Sequence, residues 1–298
     1  MNLFIVESPL QIICAYEAIL EKNEEPYLLL IRQTGRGFND KQMKESADFF
    51  NLKYKTFKLH PDKIIIHILM NIFLWLSLSI RKFETVYLGS LYSNALKVLK
   101  VFLRGSEFFY LDDGAATLRA QIDINKGKKP SSNLYTFFQL DAIIGQKIIK
   151  HKFCNIRKTF NFRRGGESYF IGQPVEHMLG FNERDYLNCV RGIARKFSKE
   201  KPLIYIPHRV EDSRKILEIE NIIILNIDTP VELYFMKNEA DIPKEVYSCY
   251  SSALVSMSIL FPEINIVAIK NKKIAAEDEV MDSIYNYFLE SGIDVVLL

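Results

Sequence analysis

The chain has 298 residues, of which 48% are hydrophobic and 25% charged, and its formal net charge is +3. These fractions are ordinary for a folded globular protein, and the length is roughly twice that of a typical domain, so we expect two domains with separate cores. A net charge this small argues against a dedicated nucleic-acid-binding protein. The four cysteines include no Cys-x-x-Cys pair, which argues against a zinc site and against a disulfide framework.

The start of the chain predicts a strand at residues 3–6, a polar turn that contains Glu7, and a helix over 10–22 with apolar residues at helical spacing. It lacks the basic start and long apolar core of a signal peptide, so the sequence predicts a cytoplasmic protein. Such an alternation is typical of a Rossmann-like domain. It continues with strands predicted at 27–31, 54–59 and 85–90 and helices at 41–51 and 94–102.

Residues 64–80 form a nearly continuous apolar stretch that contains a histidine and an asparagine. It is a little shorter than the ~20 residues that a membrane span needs. We therefore interpret it as a helix that is either buried or lies on a membrane surface, in preference to a span. Lys63, Arg81 and Lys82 at its ends are available to anionic headgroups, which predicts peripheral contact with the inner membrane face.

The strongest candidate for chemistry in the first half is the acidic pair Asp112-Asp113, which closes an aromatic strand predicted at 107–111. Gly114 follows and can adopt the positive φ of a tight exit from the strand. Ligands bind at the carboxyl ends of strands in open α/β sheets, so this position favours a functional site. The alternative is an ordinary turn in which one aspartate caps a helix that begins near residue 115.

The pattern weakens and becomes basic between residues 125 and 166, and the junction predicted there gives domains at 1–160 and 161–298. The basic residues form either a solvated connector or a surface for an acceptor or headgroup. Two Rossmann-like halves in tandem, neither with a Gly-x-Gly-x-x-Gly fingerprint, describe the α/β architecture called GT-B, in which two domains face a central cleft. The second half has strands predicted at 169–172, 203–207, 222–227, 246–250 and 265–269, and helices at 185–198, 231–237, 251–260 and 277–289, the last a candidate to pack back on the first domain.

Two further candidates follow predicted strands of the second half. His208 comes after Pro207, where an imidazole can protonate or hydrogen-bond a departing phosphate near neutral pH. The alternative is a surface histidine in a polar loop. Ser251 and Ser252 precede a helix whose N–H groups and positive dipole end suit a phosphate, although N-capping alone explains one of the two serines.

Together these motifs resemble those of the bacterial lipooligosaccharide sialyltransferases, glycosyltransferase family 52. The likeness spans most of the chain and rests on the order of short motifs. They are Tyr87-Leu88-Gly89-Ser90-Leu91, Asp112-Asp113-Gly114, Pro207-His208, Pro230-Val231-Glu232 and Ser252-Ala253-Leu254.

The resemblance implies an inverting, metal-independent transfer of sialic acid from CMP-sialic acid to a terminal sugar of a bacterial cell-surface glycan, either lipooligosaccharide or capsule. It also implies a homodimer. Asp113 would be the general base, supported by Asp112, and His208 would stabilise or protonate the departing CMP phosphate. Arg209 replaces the proline usual in the family's histidine motif and could add a phosphate or carboxylate contact. The resemblance assigns to the donor Gly114, Gly172, Gln173, Pro207, Arg209, Glu232, Ser251 and Ser252, and Gln11 is a candidate for the acceptor side.

Two other functions fit the same pattern. One is a related transferase that uses another nonulosonic acid or another nucleotide sugar. The other is a non-catalytic membrane-associated protein of surface-polysaccharide assembly, which the apolar stretch at 64–80 and the basic junction favour. For the transferases we expect a nucleotide-sugar donor and a glycan or glycolipid acceptor, with no cofactor and no nucleic acid.

Overall fold

A computed structural model of the chain describes residues 1–23, 25–58, 63–70, 72–174, 182–208, 210–237, 241–271 and 279–298. These residues divide into two compact units, Met1–Thr159 and Phe160–Leu298, which we call unit 1 and unit 2. The predicted boundary, between residues 160 and 161, lies beside this division. Each unit is built on one parallel sheet.

The sheet of unit 1 has seven strands in the order β3-β2-β1-β4-β5-β6-β7, all parallel. Every residue of β1 is buried, as expected for a central strand of a parallel sheet covered on both faces. The strands are β1 (Asn2–Val6), β2 (Tyr27–Gln33), β3 (Tyr54–Lys58), β4 (Lys82–Leu88), β5 (Arg104–Leu111), β6 (Leu134–Thr136) and β7 (Ile148–Lys150).

Helices connect these strands, and a buried carboxylate ties the last helix of the unit to the first. Glu17 accepts hydrogen bonds from the backbone N–H groups of Asn155 (3.0 Å) and Ile156 (2.9 Å), so it satisfies N–H groups that the first turn of a helix leaves without partners. The helices are α1 (Pro9–Glu21), α2 (Gly37–Phe49), α3 (Ile64–Met70), α4 (Ile72–Ile80), α5 (Asn94–Lys100), α6 (Ala115–Asn125) and α7 (Cys154–Thr159).

Unit 2 contains a second parallel sheet, in the order β10-β9-β8-β11-β12-β13. Its strands are β8 (Ser168–Ile171), β9 (Leu203–Ile206), β10 (Ile222–Ile224), β11 (Glu245–Ser248), β12 (Asn265–Lys270) and β13 (Asp294–Leu297). Its helices are α8 (Glu183–Ala194), α9 (Val231–Lys237), α10 (Ala253–Leu260) and α11 (Glu279–Glu290), with a short 3-10 helix at Ser213–Lys215.

Several elements differ from the prediction. The helix expected at 41–51 already begins at Gly37, because the Asp40 carboxylate accepts hydrogen bonds from the N–H groups of Thr34 and Gly35, both at 3.0 Å, and closes the preceding loop early. The single helix expected at 64–80 is instead two helices, α3 and α4. Strands β6, β7 and β13 were not predicted; each has only three or four residues, too few to show an alternating pattern.

The chain ends with α11 and β13, both of which belong to unit 2. Helix α11 contacts β12 and β13, and β13 forms an edge of the second sheet. The predicted return of the last helix to the first domain stays a prediction. Within the described residues, no helix combines the length and the apolar character required to cross a bilayer.

Candidate functional site

In each sheet the first strands are added toward one edge and the later strands toward the other, so the strand order reverses between two central neighbouring strands. In unit 1 these strands are β1 and β4, and in unit 2 they are β8 and β11. Loops that leave such a pair at the carboxyl end diverge and open a crevice, which is where open α/β sheets bind ligands. The predicted site residues lie in the loops at or beside these two positions, so we consider each unit in turn.

In unit 1 the centre of the candidate site is the side-chain amide of Gln11, on the first turn of α1. Its Oε1 accepts a hydrogen bond from the N–H of Glu7 at 2.8 Å, and its Nε2 donates to Oδ1 of Asp113 at 3.0 Å. A backbone N–H can only donate, so this contact fixes which end of the amide is oxygen. Gln11 is completely buried. Its NH2 group is therefore held against the carboxylate that the sequence predicts as general base.

Gly89, at the end of β4, leaves the space that this amide occupies. A Cβ atom at this position would lie 2.3 Å from Oε1 and 2.9 Å from Cδ of Gln11. The Gly89 in the motif that resembles the sialyltransferases thus has a local structural reason, which is close packing on the amide.

Asp113 itself lies between β5 and α6 and is partly exposed. Its N–H donates to the hydroxyl of Thr117 at 2.9 Å, and Gly114 adopts φ 63° at the N-terminus of α6, as the sequence predicted. Neither aspartate is the N-cap residue of α6, because that position is Gly114. The carboxylate of Asp113 is oriented by Gln11 and still reaches solvent, which a general base for a soluble sugar hydroxyl requires.

Beside Gln11 is an ion pair that the sequence did not reveal. The Glu7 carboxylate accepts hydrogen bonds from Arg32 Nη1 and from the Ser93 hydroxyl, the latter at 2.9 Å. Burial is the main reason that the pKa of Glu7 is raised, and the positive charge of Arg32 opposes this effect. Asn39 of α2 donates to the backbone carbonyl of Glu7 at 3.1 Å. These contacts join the loops after β1, β2 and β4 into one rigid support.

The second aspartate of the pair faces the interior. Asp112 is completely buried and accepts hydrogen bonds from the Thr136 hydroxyl at 2.6 Å and from the Phe137 N–H at 2.7 Å. Burial raises its pKa to about 7, against the effect of these hydrogen bonds. A completely buried carboxyl cannot contact a substrate directly, and the role expected for Asp112, support of Asp113, stays a prediction.

His151 and Cys14 lie beside Asp112, and we tested whether the three could hold a metal. Their ligand atoms lie within 4.8 Å of one another, and both ring nitrogens of His151 are buried without a hydrogen-bond partner. Nε2 of His151 is 3.9 Å from Oδ2 of Asp112, however, whereas tetrahedral zinc with bonds near 2.0 Å brings such atoms to about 3.3 Å. A closed structural zinc site also takes four ligands. We assign no metal to this group.

In unit 2, His208 follows β9 and is partly exposed. Its N–H donates to Oε2 of Glu211 at 2.9 Å, and its carbonyl accepts from the Glu211 N–H at 2.8 Å. Oε1 of Glu211 accepts from the hydroxyl of Tyr205, and burial raises the pKa of this carboxyl. The Val210 N–H lies 3.5 Å from Nδ1 of His208. The imidazole is thus carried by a loop that Glu211 fixes to the sheet.

The loop after β8 packs directly on this carboxylate. A Cβ at Gly172 would lie 2.2 Å from Oε2 of Glu211 and 2.6 Å from the Tyr205 hydroxyl. The next residue, Gln173, is buried, and its Oε1 accepts from the Tyr250 N–H at 3.1 Å, across the gap between the ends of β8 and β11. Gly172, Gln173, His208 and the loop after β11 are therefore brought together, although they are far apart in sequence.

The two serines follow Tyr250 and are both partly exposed. Ser251 Oγ accepts from the Ala253 N–H at 3.3 Å, whereas Ser252, the N-cap residue of α10, makes no capping hydrogen bond with its side chain. The hydroxyl of Ser251 thus has a local backbone partner, whereas no capping hydrogen bond accounts for the hydroxyl of Ser252.

Glu232 and Arg209 complete the predicted set. Glu232 is buried, burial raises its pKa, and one of its oxygens accepts from the Ser256 hydroxyl at 2.5 Å. It thus joins α9 to α10, and the contact with the donor that the resemblance implies stays a prediction. Arg209 lies outside the described residues.

Comparison with known proteins bears on the fold. No family model and no curated protein matches the sequence. Among solved structures, Arabidopsis thaliana UGT89C1 complexed with UDP-L-rhamnose has a TM-score of 0.53 and 8% identity, and the match covers 100% of this chain and 85% of that chain. E. coli heptosyltransferase WaaC with ADP matches with a TM-score of 0.46 and 8% identity, over 98% of this chain and 100% of that chain. UDP-GlcNAc 2-epimerase from Neisseria meningitidis bound to UDP-GlcNAc matches with a TM-score of 0.49 and 11% identity, over 97% of this chain and 91% of that chain. The chain has the α/β fold with two parallel-sheet domains of the GT-B glycosyltransferases, as predicted.

Proposed function

We propose that the chain is an inverting glycosyltransferase that moves sialic acid from CMP-sialic acid to a terminal sugar of a bacterial cell-surface glycan. The proposal combines the GT-B fold with the motif order that resembles the lipooligosaccharide sialyltransferases. The single observation that carries it is the Asp113 carboxylate: it is partly exposed at the carboxyl edge of the first sheet and is oriented by the buried amide of Gln11.

In the proposed reaction Asp113 takes the proton from the acceptor hydroxyl as that oxygen attacks the anomeric carbon. A carboxylate held by one hydrogen bond keeps its other oxygen available for this proton. His208, with the proton on Nε2, donates to the phosphate of the departing CMP, and the Ser252 hydroxyl and the N-terminus of α10 bind the same phosphate. One phosphate carries less charge than a diphosphate, so these donors suffice without a metal. That Asp113 and His208 act on one pair of substrates is part of the proposal.

Unit 2 supports the donor side of this proposal through preorganisation. Glu211 fixes the backbone of His208, and Gln173 joins the loops after β8 and β11 where a nucleotide is expected. The UGT89C1 structure contains a nucleotide sugar, UDP-L-rhamnose. A nucleotide-sugar donor fits the shared fold, and the CMP-sialic acid donor rests on the motif resemblance.

The test is CMP release from CMP-sialic acid with lactose- or galactose-ended acceptors. We expect turnover by the unmodified chain, and a loss of about 10²- to 10⁴-fold for Asp113→Asn, the range for removal of a general base. Asp141→Asn is the matched control, because the Asp141 side chain is fully exposed on unit 1 and lies 28 positions after Asp113 in the sequence. Wild-type activity in Asp113→Asn would contradict the assignment of the base.

Two alternatives are tested by the same assay with a wider set of donors. Turnover only with another CMP-nonulosonic acid or with a UDP-sugar would support a related transferase with a different donor. No turnover with any donor, together with undiminished glycan binding by Asp113→Asn and His208→Ala, would support a non-catalytic assembly protein.

A further inference from the structure

Among the described side chains of helices α3 and α4, most of the large apolar ones are exposed. Phe73 is 84% exposed and Ile80 is 78% exposed. On the opposite face of α4, Trp75 and Leu78 are buried in the core of unit 1, where Trp75 packs edge-on against Phe57. Eight large apolar residues of the two helices are exposed, namely Ile65, Ile66, Leu69, Met70, Ile72, Phe73, Leu76 and Ile80. We call them the apolar surface.

A helix that packs on a core and faces water is normally polar on its outer face. Helix α4 is apolar on both faces, and its inner face is already occupied by the core. Single exposed apolar residues are common, but a contiguous set on adjacent helices marks an interaction surface. The apolar surface therefore requires an occupant outside the described residues of unit 1.

The length and the charges of this segment fit the surface of an anionic bilayer. With seven and nine residues, α3 and α4 are about 10 and 14 Å long, against about 30 Å for the hydrocarbon core, so they can lie at the interface but not span it. Arg81 and Lys82 follow α4 directly and are exposed. Lys82 pairs in register with Arg104, and the exposed Val101 and Phe102 precede that arginine. Exposed basic and apolar residues thus lie close together at the starts of β4 and β5.

Positive charge is also concentrated at the other end of the apolar surface. Lys63 precedes α3 and lines a cavity of about 670 Å³ at the carboxyl ends of β2 and β3. The other lining residues include three more lysines and one acid: Gln33, Gly35, Gly37, Asp40, Lys41, Lys44 and Lys58. Asp40 is engaged by the N–H groups of its own loop. The apolar surface is therefore flanked by basic groups at both ends.

We propose that unit 1 docks on an anionic lipid bilayer through the apolar surface, with the flanking basic residues in contact with the headgroups. Apolar side chains enter the boundary between headgroups and acyl chains, and each nearby lysine or arginine adds electrostatic attraction. Charge complementarity favours this occupant over a second copy of the chain, whose identical basic rim would be repelled. The proposal does not depend on the transferase function.

The test is flotation of the purified chain with vesicles of phosphatidylcholine alone and of phosphatidylcholine mixed with phosphatidylglycerol. We expect binding to the mixed vesicles, weaker binding to the neutral ones, and a loss of the difference at high salt. Phe73→Glu should weaken binding on the order of tenfold or more, because a phenyl ring no longer enters the bilayer. Ile144→Glu is the matched control: Ile144 is 101% exposed on unit 1 but lies outside the apolar surface, so binding should not change.

A charge variant separates the two contributions. In Lys63→Gln/Arg81→Gln/Lys82→Gln we expect binding to the mixed vesicles to fall about 100-fold, at about fivefold for each residue, and binding to neutral vesicles to stay the same. Far-ultraviolet circular dichroism and sedimentation velocity accompany each variant. The proposal is overturned if neither vesicle binds, if Ile144→Glu weakens binding as much as Phe73→Glu, or if Phe73→Glu dissociates a dimer while vesicles remain unbound.

Discussion

The hydrogen bond from Gln11 to Asp113 gives the sharpest test of the site in unit 1. Gln11→Met keeps the length and bulk of a side chain packed under Gly89 but removes both the donor to Asp113 and the acceptor for the Glu7 N–H. A hydrogen bond to a charged group contributes about 1.5–3 kcal/mol. If Gln11 orients the base in the transition state, kcat/KM should fall about 10- to 100-fold, with little change in KM for the donor.

Gln11→Glu separates orientation from packing. The introduced carboxyl can still accept from the Glu7 N–H, but when ionised it repels Asp113, and when protonated it can donate to it. Activity relative to the unmodified chain should therefore recover as the pH falls, which loss of packing alone would not produce. The assay is CMP release across a pH series at saturating acceptor.

The control for these variants is Gln121→Met, which alters another buried amide of unit 1 that bonds to Asn125 and Gln146. Gln121→Met should lower the free energy of unfolding without a change in the pH dependence of CMP release. The reasoning is refuted if Gln11→Met folds and retains full kcat/KM, or if Gln11→Glu shows the same pH dependence as the unmodified chain.

Three further outcomes are expected. Gly172→Ala should lower both the melting temperature and turnover, because its Cβ would overlap Glu211, whereas Gly166→Ala, with nothing within 4 Å of the new Cβ, should change neither. Glu211→Gln should reduce turnover and the melting temperature, because the amide cannot accept from both the His208 N–H and the Tyr205 hydroxyl as the carboxylate does. Burial lowers the pKa of His151 to about 3, so the imidazole resists protonation in the folded protein. The free energy of unfolding that His151 contributes is fully present above pH 6.5 and is lost as the pH falls toward 3, at about 1.4 kcal/mol per pH unit. Asp112, whose raised pKa has the opposite effect over the same range, is present in both proteins. The slope of the free energy of unfolding between pH 6.5 and 4, measured in urea, should therefore differ between His151→Phe and the unmodified chain by about this amount, and equal slopes would contradict the assignment.

Local sequence patterns predicted the elements that carry the site, because apolar strands that end in polar turns are visible without tertiary information. The end of β5 at Leu111, the positive φ of Gly114 and the start of α6 at Ala115 follow from an aromatic run broken by Asp-Asp-Gly. The two-sheet α/β fold follows from the repeated alternation of strands and helices.

The contacts that hold the site could not be predicted in the same way, because they join distant residues. Gln11 reaches Asp113 over a separation of 102 positions, and Glu7 reaches Ser93 over 86. In unit 2, Glu211 was visible only as an acid near His208, and its role depends on Tyr205 and Gly172, which arrive from two different strands. Only knowledge of the strand order would have brought these residues together.

The divergence of the two adjacent aspartates has a general physical cause. Successive side chains of an extended chain point to opposite sides, so two neighbouring acids just past the end of β5 can face different surroundings. Asp112 turns inward to Thr136 and Phe137, where burial raises its pKa to about 7, and Asp113 turns toward Gln11 and solvent. The carboxyl of Asp112 fixes the end of β5 to the loop after β6, and this contact also fixes the position of the adjacent Asp113. An Asp112→Asn variant should thus affect catalysis through the placement of Asp113, lowering kcat far less than Asp113→Asn does.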